Sequence, residues 1–118
     1  MPRATNSVAS RRKRKKVLKS AQGFWGAKSK LYRIAKESVM KSLSYAYRDR
    51  RAKKRDFRNL WITRIGIAAR NEGLSYNKFI RGLKVAGIEI NRKILAELAV
   101  HNQAAFANLV KVSKESIH

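Results

Sequence analysis

Cysteine is absent from the 118 residues, which excludes a disulfide framework and any thiolate metal site. Proline occurs once, at Pro2, so proline interrupts no helix in the body of the chain. No apolar run approaches the roughly 18 residues that a membrane span requires. Acidic side chains are scarce, 7 against 29 Lys and Arg, for a net charge of +22. A chain so unbalanced repels itself, and few self-contained folds tolerate that without a polyanion. The length fits one small domain plus whatever does not fold into it.

The charge is also uneven. Residues 1–60 hold 20 basic and 3 acidic side chains, net +17, whereas residues 61–118 hold 9 and 4, net +5. A basic half joined to a milder half points to a nucleic-acid-binding arm on a compact module. The first thirty residues are basic, contain Ser and lack acids, so an organellar transit peptide is weighed. Val8, Val17 and Leu18 are too few for its amphipathic face, and the basic pattern continues past any cleavage point.

Taken in order, Met1–Ser10 is small and polar and reads as extended when free, with Arg3 its one cation. Arg11, Arg12, Lys13, Arg14, Lys15 and Lys16 are six consecutive cations. Neighbours at i,i+3 and i,i+4 repel in a free helix, so this run is expected to order against phosphates. Val17, Leu18 and Ala21 suggest a short helix ending near Gln22, with Lys19 on it. Gly23-Phe24-Trp25-Gly26 reads as a hinge, because glycine adopts backbone angles that other residues avoid. Phe24 and Trp25 either stack on bases or sugars or pack on the chain's own next helix.

From Ala27 to Asn71 there is no Pro and one Gly, Gly66, which makes a candidate helix of about 45 residues. It carries Lys28, Lys30 and Arg33 early, then the densest stretch of the chain, Tyr45–Arg64. That stretch holds Tyr45, Tyr47, Arg48, Arg50, Arg51, Lys53, Lys54, Arg55, Arg58 and Arg64. At about 100° per residue, Tyr45, Asp49, Ala52, Asp56 and Asn59 form one stripe without cations, and the bases cover the rest. A helix that loses its apolar stripe has no core to lie on there, and is expected to protrude with nucleic acid on several sides. Asp49 and Asp56 are expected to hold arginines through i,i±3 and i,i±4 pairs. Tyr45 and Tyr47 can stack on a sugar or base, whereas Trp61 shares its face with Ile65 and Ala68 and reads as core.

After Asn71 the pattern is that of a small antiparallel bundle. Gly73 is expected as the left-handed cap, with Ser75 capping a helix whose inner face is Tyr76, Phe79, Ile80 and Leu83. Lys78, Arg81 and Lys84 lie on its opposite face, and Gly87 stops it. Asn91 caps a third helix, which carries Lys93, and Ile90 can staple onto Leu95. Asn102 caps the last, with Phe106, Leu109 and Val110 inward. The expected fold is therefore all-α: a basic arm over residues 1–59 and a compact helical domain over 60–118.

The segment YAYRDRR followed by KKRDFRNLWITRI resembles the bacterial large-subunit ribosomal protein L20 family. The specific pattern is Lys54, Arg58, Leu60, Trp61, Ile62, Arg64 and Ile65; KKVLKSAQGFWGAKS, GLSYNKFIRGLK and EINRKILAELAV extend it along nearly the whole chain. Two departures stand out. Gly66 replaces a usual Asn, at a helix cost of about 1 kcal/mol, and residues 4–6 are less basic than is common. The resemblance implies direct binding to large-subunit (23S) rRNA early in assembly, with the arm threading between rRNA helices and the C-terminal domain on an rRNA junction. It further implies contacts with neighbouring large-subunit proteins and, in some bacteria, translational repression through the protein's own messenger leader. It implies a cytoplasmic ribosomal location, no enzymatic activity, no cofactor, no membrane and no homo-oligomer.

Two rivals remain. A DNA-binding architectural protein or repressor shares the charge, but no helix gathers base-reading Asn, Gln and Arg together. A nuclease would use Glu97 and His101 at i,i+4 as acid and base. With only two His in the chain and no further group converging, they read as a surface pair.

Overall fold

The computed structural model describes Met1 and residues 3–118, and every regular element among them is helical. Five α-helices follow in order: α1 Ser7–Ser20, α2 Tyr32–Asn71, α3 Tyr76–Val85, α4 Arg92–His101 and α5 Gln103–Ile117, with a 3-10 turn at Gly26–Ser29. The all-α expectation holds, including one long basic helix. Chain contacts divide the molecule into two compact units, Met1–Arg51 and Ala52–His118.

In the first unit, α1 begins inside the stretch read as extended, and it includes the whole cationic run. Like-charge repulsion along one helix costs only a few tenths of a kcal/mol per pair, and α1 itself buries no residue. Ala21 and Ala35 are fully buried, Val17 and Leu18 half-buried, and the Arg14 guanidinium lies 5.8 Å from the centre of the Tyr32 ring. Asn6 precedes α1 at φ 54°, a left-handed value that Asn tolerates better than most residues.

The long helix starts at Tyr32, not Ala27. Gly23 and Gly26 at φ 85° and 58° turn the chain, and the 3-10 turn follows at once. A Cβ added to either glycine would meet nothing within 4 Å, so the backbone angle and not the space requires glycine there. No glycine or proline marks the step from the 3-10 turn into α2, which is why the sequence pattern ran through it.

The second unit has one core. Ile65 and Ala69 come from α2, Phe79 and Leu83 from α3, Leu95, Ala96 and Ala99 from α4, Phe106 and Val110 from α5. The Phe79 and Phe106 rings tilt at 43° with centroids 5.1 Å apart, a favourable aromatic arrangement. Trp61 packs against this cluster, as its shared face with Ile65 predicts. Ile90 packs against the same cluster, which holds its expected staple partner Leu95.

Local chemistry sets the helix limits. Ser75, Asn91 and Asn102 accept side-chain cap bonds from Lys78, Ile94 and Ala105 at 3.4, 2.9 and 3.1 Å. At the end of α2, Gly73 N–H reaches the Arg70 carbonyl and Leu74 N–H the Ala69 carbonyl, both at 2.9 Å. Gly87 and Ile88 repeat that pair on Lys84 and Leu83 at 3.2 and 2.9 Å. These are Schellman endings, each with an apolar residue folded back onto the last turn.

Helices α3 and α5 approach closest at Gly82. A Cβ there would run into the Oγ and carbonyl of Ser113. Ser113 is fully buried, and its hydroxyl donates to the Phe79 carbonyl at 3.0 Å. Gly66, the departure in α2, is buried within an unbroken helix beside the Tyr76 Cβ.

Candidate nucleic-acid interface

A phosphate-binding surface needs cations that the protein's own acids do not consume. Every cation singled out from the sequence is exposed, from Arg3 and Arg11–Lys16 through Lys19, Lys28, Lys30 and Arg33 to Arg64, Lys78, Arg81, Lys84 and Lys93. Among the described residues one salt bridge forms, Arg48 Nε to Asp49 Oδ1 at 3.0 Å, with both side chains more than half exposed. The remaining cations keep their charge for an outside partner.

This corrects the expected pairing. Asp49 pairs with its chain neighbour and not across a helical turn, and Asp56 forms no salt bridge. Aromatic rings take the place foreseen for the acids. The Arg48 guanidinium carbon lies 4.5 Å from the centre of the Tyr45 ring, and Lys41 Nζ lies 5.6 Å from the same ring. Arg51 sits 5.1 Å from the Tyr47 ring and Lys53 5.7 Å from that of Phe57. All four pairs span three or four residues, the spacing that brings side chains together on a helix. Exposed cation–π contacts contribute about 0.5–1 kcal/mol each. Their chief effect is to hold long cations in few rotamers while leaving the charge outward.

The geometry of α2 extends this surface. Between Ala35 and Ile65 no residue is buried, and only Ala46, Ala52, Trp61, Ile62, Ser38 and Val39 are half-buried. Arg48, Arg50, Arg51, Lys53, Lys54, Arg55 and Arg58 are all exposed on that stretch. Successive cations point in different directions around the helix, so they can meet phosphates from more than one strand.

Of the aromatics, Trp25 is 90% exposed on the glycine turn, Phe24 is half-buried, and Tyr45 and Tyr47 are 43% and 55% exposed. The two readings of Phe24 and Trp25 thus divide between them: Phe24 is partly covered by its own unit, Trp25 is not.

In the second unit α3 presents Lys78, Arg81 and Lys84 outward while Phe79, Gly82 and Leu83 face the core. Two residues were missed from the sequence. Arg92 is half-buried and donates from Nε to the Tyr76 hydroxyl at 2.9 Å, which fixes a guanidinium between α3 and α4. Its signal is a tertiary contact that sequence spacing does not reveal. Phe57 stands exposed at 43% with its ring centroid 6.1 Å from that of Trp61. Its spacing from Lys53 and Trp61 was legible.

No metal-binding cluster of His, Asp and Glu occurs among the described residues. Glu97 and His101 are both exposed on α4, and no hydrogen bond joins them. The chemistry available is electrostatic and stacking.

Comparison with known proteins finds relatives along nearly the whole chain. The family model described as ribosomal protein L20 matches residues 3–109. The large ribosomal subunit protein bL20 of Carboxydothermus hydrogenoformans is 62% identical over 117 residues, covering 99% of this chain and 100% of the relative. That of Pelotomaculum thermopropionicum is 61% identical over the same shares. The bL20 of Caldanaerobacter subterraneus is 58% identical over 118 residues, 100% of this chain and 99% of the relative.

Proposed function

This chain belongs to the ribosomal protein L20 family, and we propose that it binds large-subunit (23S) rRNA directly and supports an early step of subunit assembly. As a family member it is a structural constituent of the large ribosomal subunit in the cytoplasm, not an enzyme. Residues 1–59 act as the main rRNA-binding arm and residues 60–118 as a compact domain with a second, smaller RNA face.

The observation that carries this reading is the uncovered middle of α2. A helix with no buried residue from Lys36 to Arg64 gains nothing from a core there. Its ten cations against three acids gain from a polyanion. Each neutralised phosphate releases counterions, and each contributes roughly 0.7–0.9 to the fall of log affinity with log salt. Arginine adds bidentate forks and stacking that lysine lacks. Bridging RNA segments that otherwise repel is what makes such a chain useful early, before other proteins screen the phosphates. RNA helices are read mainly through shape, phosphates and 2′-hydroxyls, which suits cations spread around a thin helix.

The second unit contributes Lys78, Arg81 and Lys84, exposed on α3, and Lys93, exposed on α4, with the Arg92 guanidinium held by Tyr76. It suits an rRNA junction, and the same chemistry lets it take the messenger leader of its own operon and repress translation. The protein acts as a single copy among neighbouring large-subunit proteins.

Crosslinking the full chain to rRNA and mapping the crosslinked residues tests the reading. Dense crosslinks along residues 3–58 and sparser ones beyond are expected, and crosslinks confined to the second unit would sink it. Duplex DNA bound more tightly than structured rRNA at equal salt would favour an architectural DNA-binding protein instead.

A further inference from the structure

An open groove of about 900 Å³ lies in the first unit between the glycine turn and the early part of α2. Phe24, Trp25 and Tyr45 supply its aromatic surface, Lys28 and Lys41 its cations, and Glu37 a carboxylate. We infer that this groove seats an unpaired RNA nucleotide and favours a base that carries an exocyclic amino group. The inference rests on the proposed binding of rRNA and narrows it to one ligand class at one place.

Three features lead there. Trp25 leaves 90% of its surface in water, although it is among the largest apolar side chains of the chain. Gly23 and Gly26, both at left-handed angles, frame the turn that presents it. Stacking is what an exposed indole offers, and bases inside a duplex already stack on each other. The free ring therefore selects a base that has left the helix.

The cations define the second feature. Lys28 and Lys41 share the groove with the rings and can meet the phosphates on either side of a stacked base. Lys41 already leans 5.6 Å from the Tyr45 ring, so ring and charge act on one place.

Glu37 is the third. A carboxylate repels phosphate and is out of place in a surface built for phosphates alone. It makes no hydrogen bond or salt bridge within the protein, whereas Asp49, on the same groove, is engaged by Arg48. A free carboxylate accepts from an amino group on a base edge. Adenine, cytosine and guanine carry one and uracil does not. The strong positive charge of residues 1–60 favours RNA over a protein segment as the occupant.

The test uses the full chain and three RNAs at equal salt: a hairpin with an adenine bulge, the same hairpin with a uracil bulge, and the fully paired hairpin. Trp25→Ala is expected to weaken the adenine-bulge complex by roughly 5- to 100-fold, the range of one lost base–aromatic stack. It leaves the paired hairpin within about two-fold, and Trp25→Phe restores most of the loss. Glu37→Gln narrows the preference for adenine over uracil. In a Trp61→Phe background, Trp25 emission falls on binding the bulge. Equal loss on all three RNAs, or none, overturns the groove, and so does unmoved emission. If the unsubstituted chain binds none of the hairpins at low salt, the rRNA reading itself fails. Circular dichroism of each variant confirms that the helices remain.

Discussion

Arg51 donates from Nε to the Tyr47 hydroxyl at 3.0 Å, one helical turn away, and its guanidinium also lies 5.1 Å from the centre of that ring. Tyrosine thus fixes the cation without neutralising it, which an acidic partner would not do. Tyr47→Ala is expected to weaken rRNA binding by roughly 2- to 10-fold, because Arg51 must then be ordered on binding at about 0.5–1.5 kcal/mol. The salt slope stays the same, since no cation is lost. Tyr47→Phe falls between. Titrations at several salt concentrations check both quantities, and a slope changed by a full unit would show that Tyr47 acts through charge.

Arg50, Lys54 and Arg58 recur every fourth residue along one side of α2, and all three are exposed. Their replacement together by Ala is expected to lower the salt slope by about two units, at roughly 0.7–0.9 per phosphate contact. Affinity falls for all rRNA fragments alike, because phosphate contacts carry no sequence information. Lys111, exposed on α5 and outside the candidate surface, serves as the comparison. Lys111→Ala should leave the slope unchanged. A slope lowered by Lys111→Ala about one third as much as by the triple variant would mean that binding is diffuse charge and not a surface on α2.

What the sequence told depended on the range of each interaction. Ser75, Asn91, Gly73 and Gly87 were legible because caps act within a few residues of their position. The inner faces of α3 and α5 followed from periodicity, and so did the place of Trp61. Asp49 and Asp56 misled because the i,i+4 rule admits aromatic partners as well as acidic ones, and Tyr45 and Tyr47 stood at the right spacing. The beginning of α1 was missed because its small polar residues read as extended and no side-chain cap marks it, since Asn6 makes no cap hydrogen bond. Arg92 and Gly82 were silent in the sequence, since the partner of each, Tyr76 or Ser113, is brought to it only by the fold.

Gly66 can be tested on its own. A Cβ at this position would meet the Tyr76 Cβ at 3.8 Å, an ordinary van der Waals contact. The helix runs unbroken through it, so glycine supplies no turn and keeps only its entropic cost. Gly66→Ala is expected to stabilise the fold by about 0.4–1 kcal/mol, through a less flexible unfolded chain. Urea unfolding followed by circular dichroism measures this. Destabilisation would mean that α2 and α3 need a closer approach than the contact indicates.

Gly82 poses the opposite case. Its added Cβ would collide with both the Oγ and the carbonyl of Ser113, on a backbone that leaves neither helix room to retreat from the shared core of Phe79, Leu83 and Val110. Gly82→Ala is therefore expected to destabilise by about 1–3 kcal/mol, the range of overpacking, although alanine is the better helix former. Ser113→Ala removes the hydroxyl that donates to the Phe79 carbonyl at 3.0 Å and costs about 0.5–1.5 kcal/mol. The two sites touch, so their effects do not add. In the double variant the Oγ is gone and half of the collision with it, whereas the backbone carbonyl of residue 113 remains. The double variant should lose less than the sum of the singles and more than Ser113→Ala alone. A strictly additive result in urea unfolding would mean that α5 shifts away from Gly82→Ala, and that the close approach of α3 and α5 is not fixed by this pair.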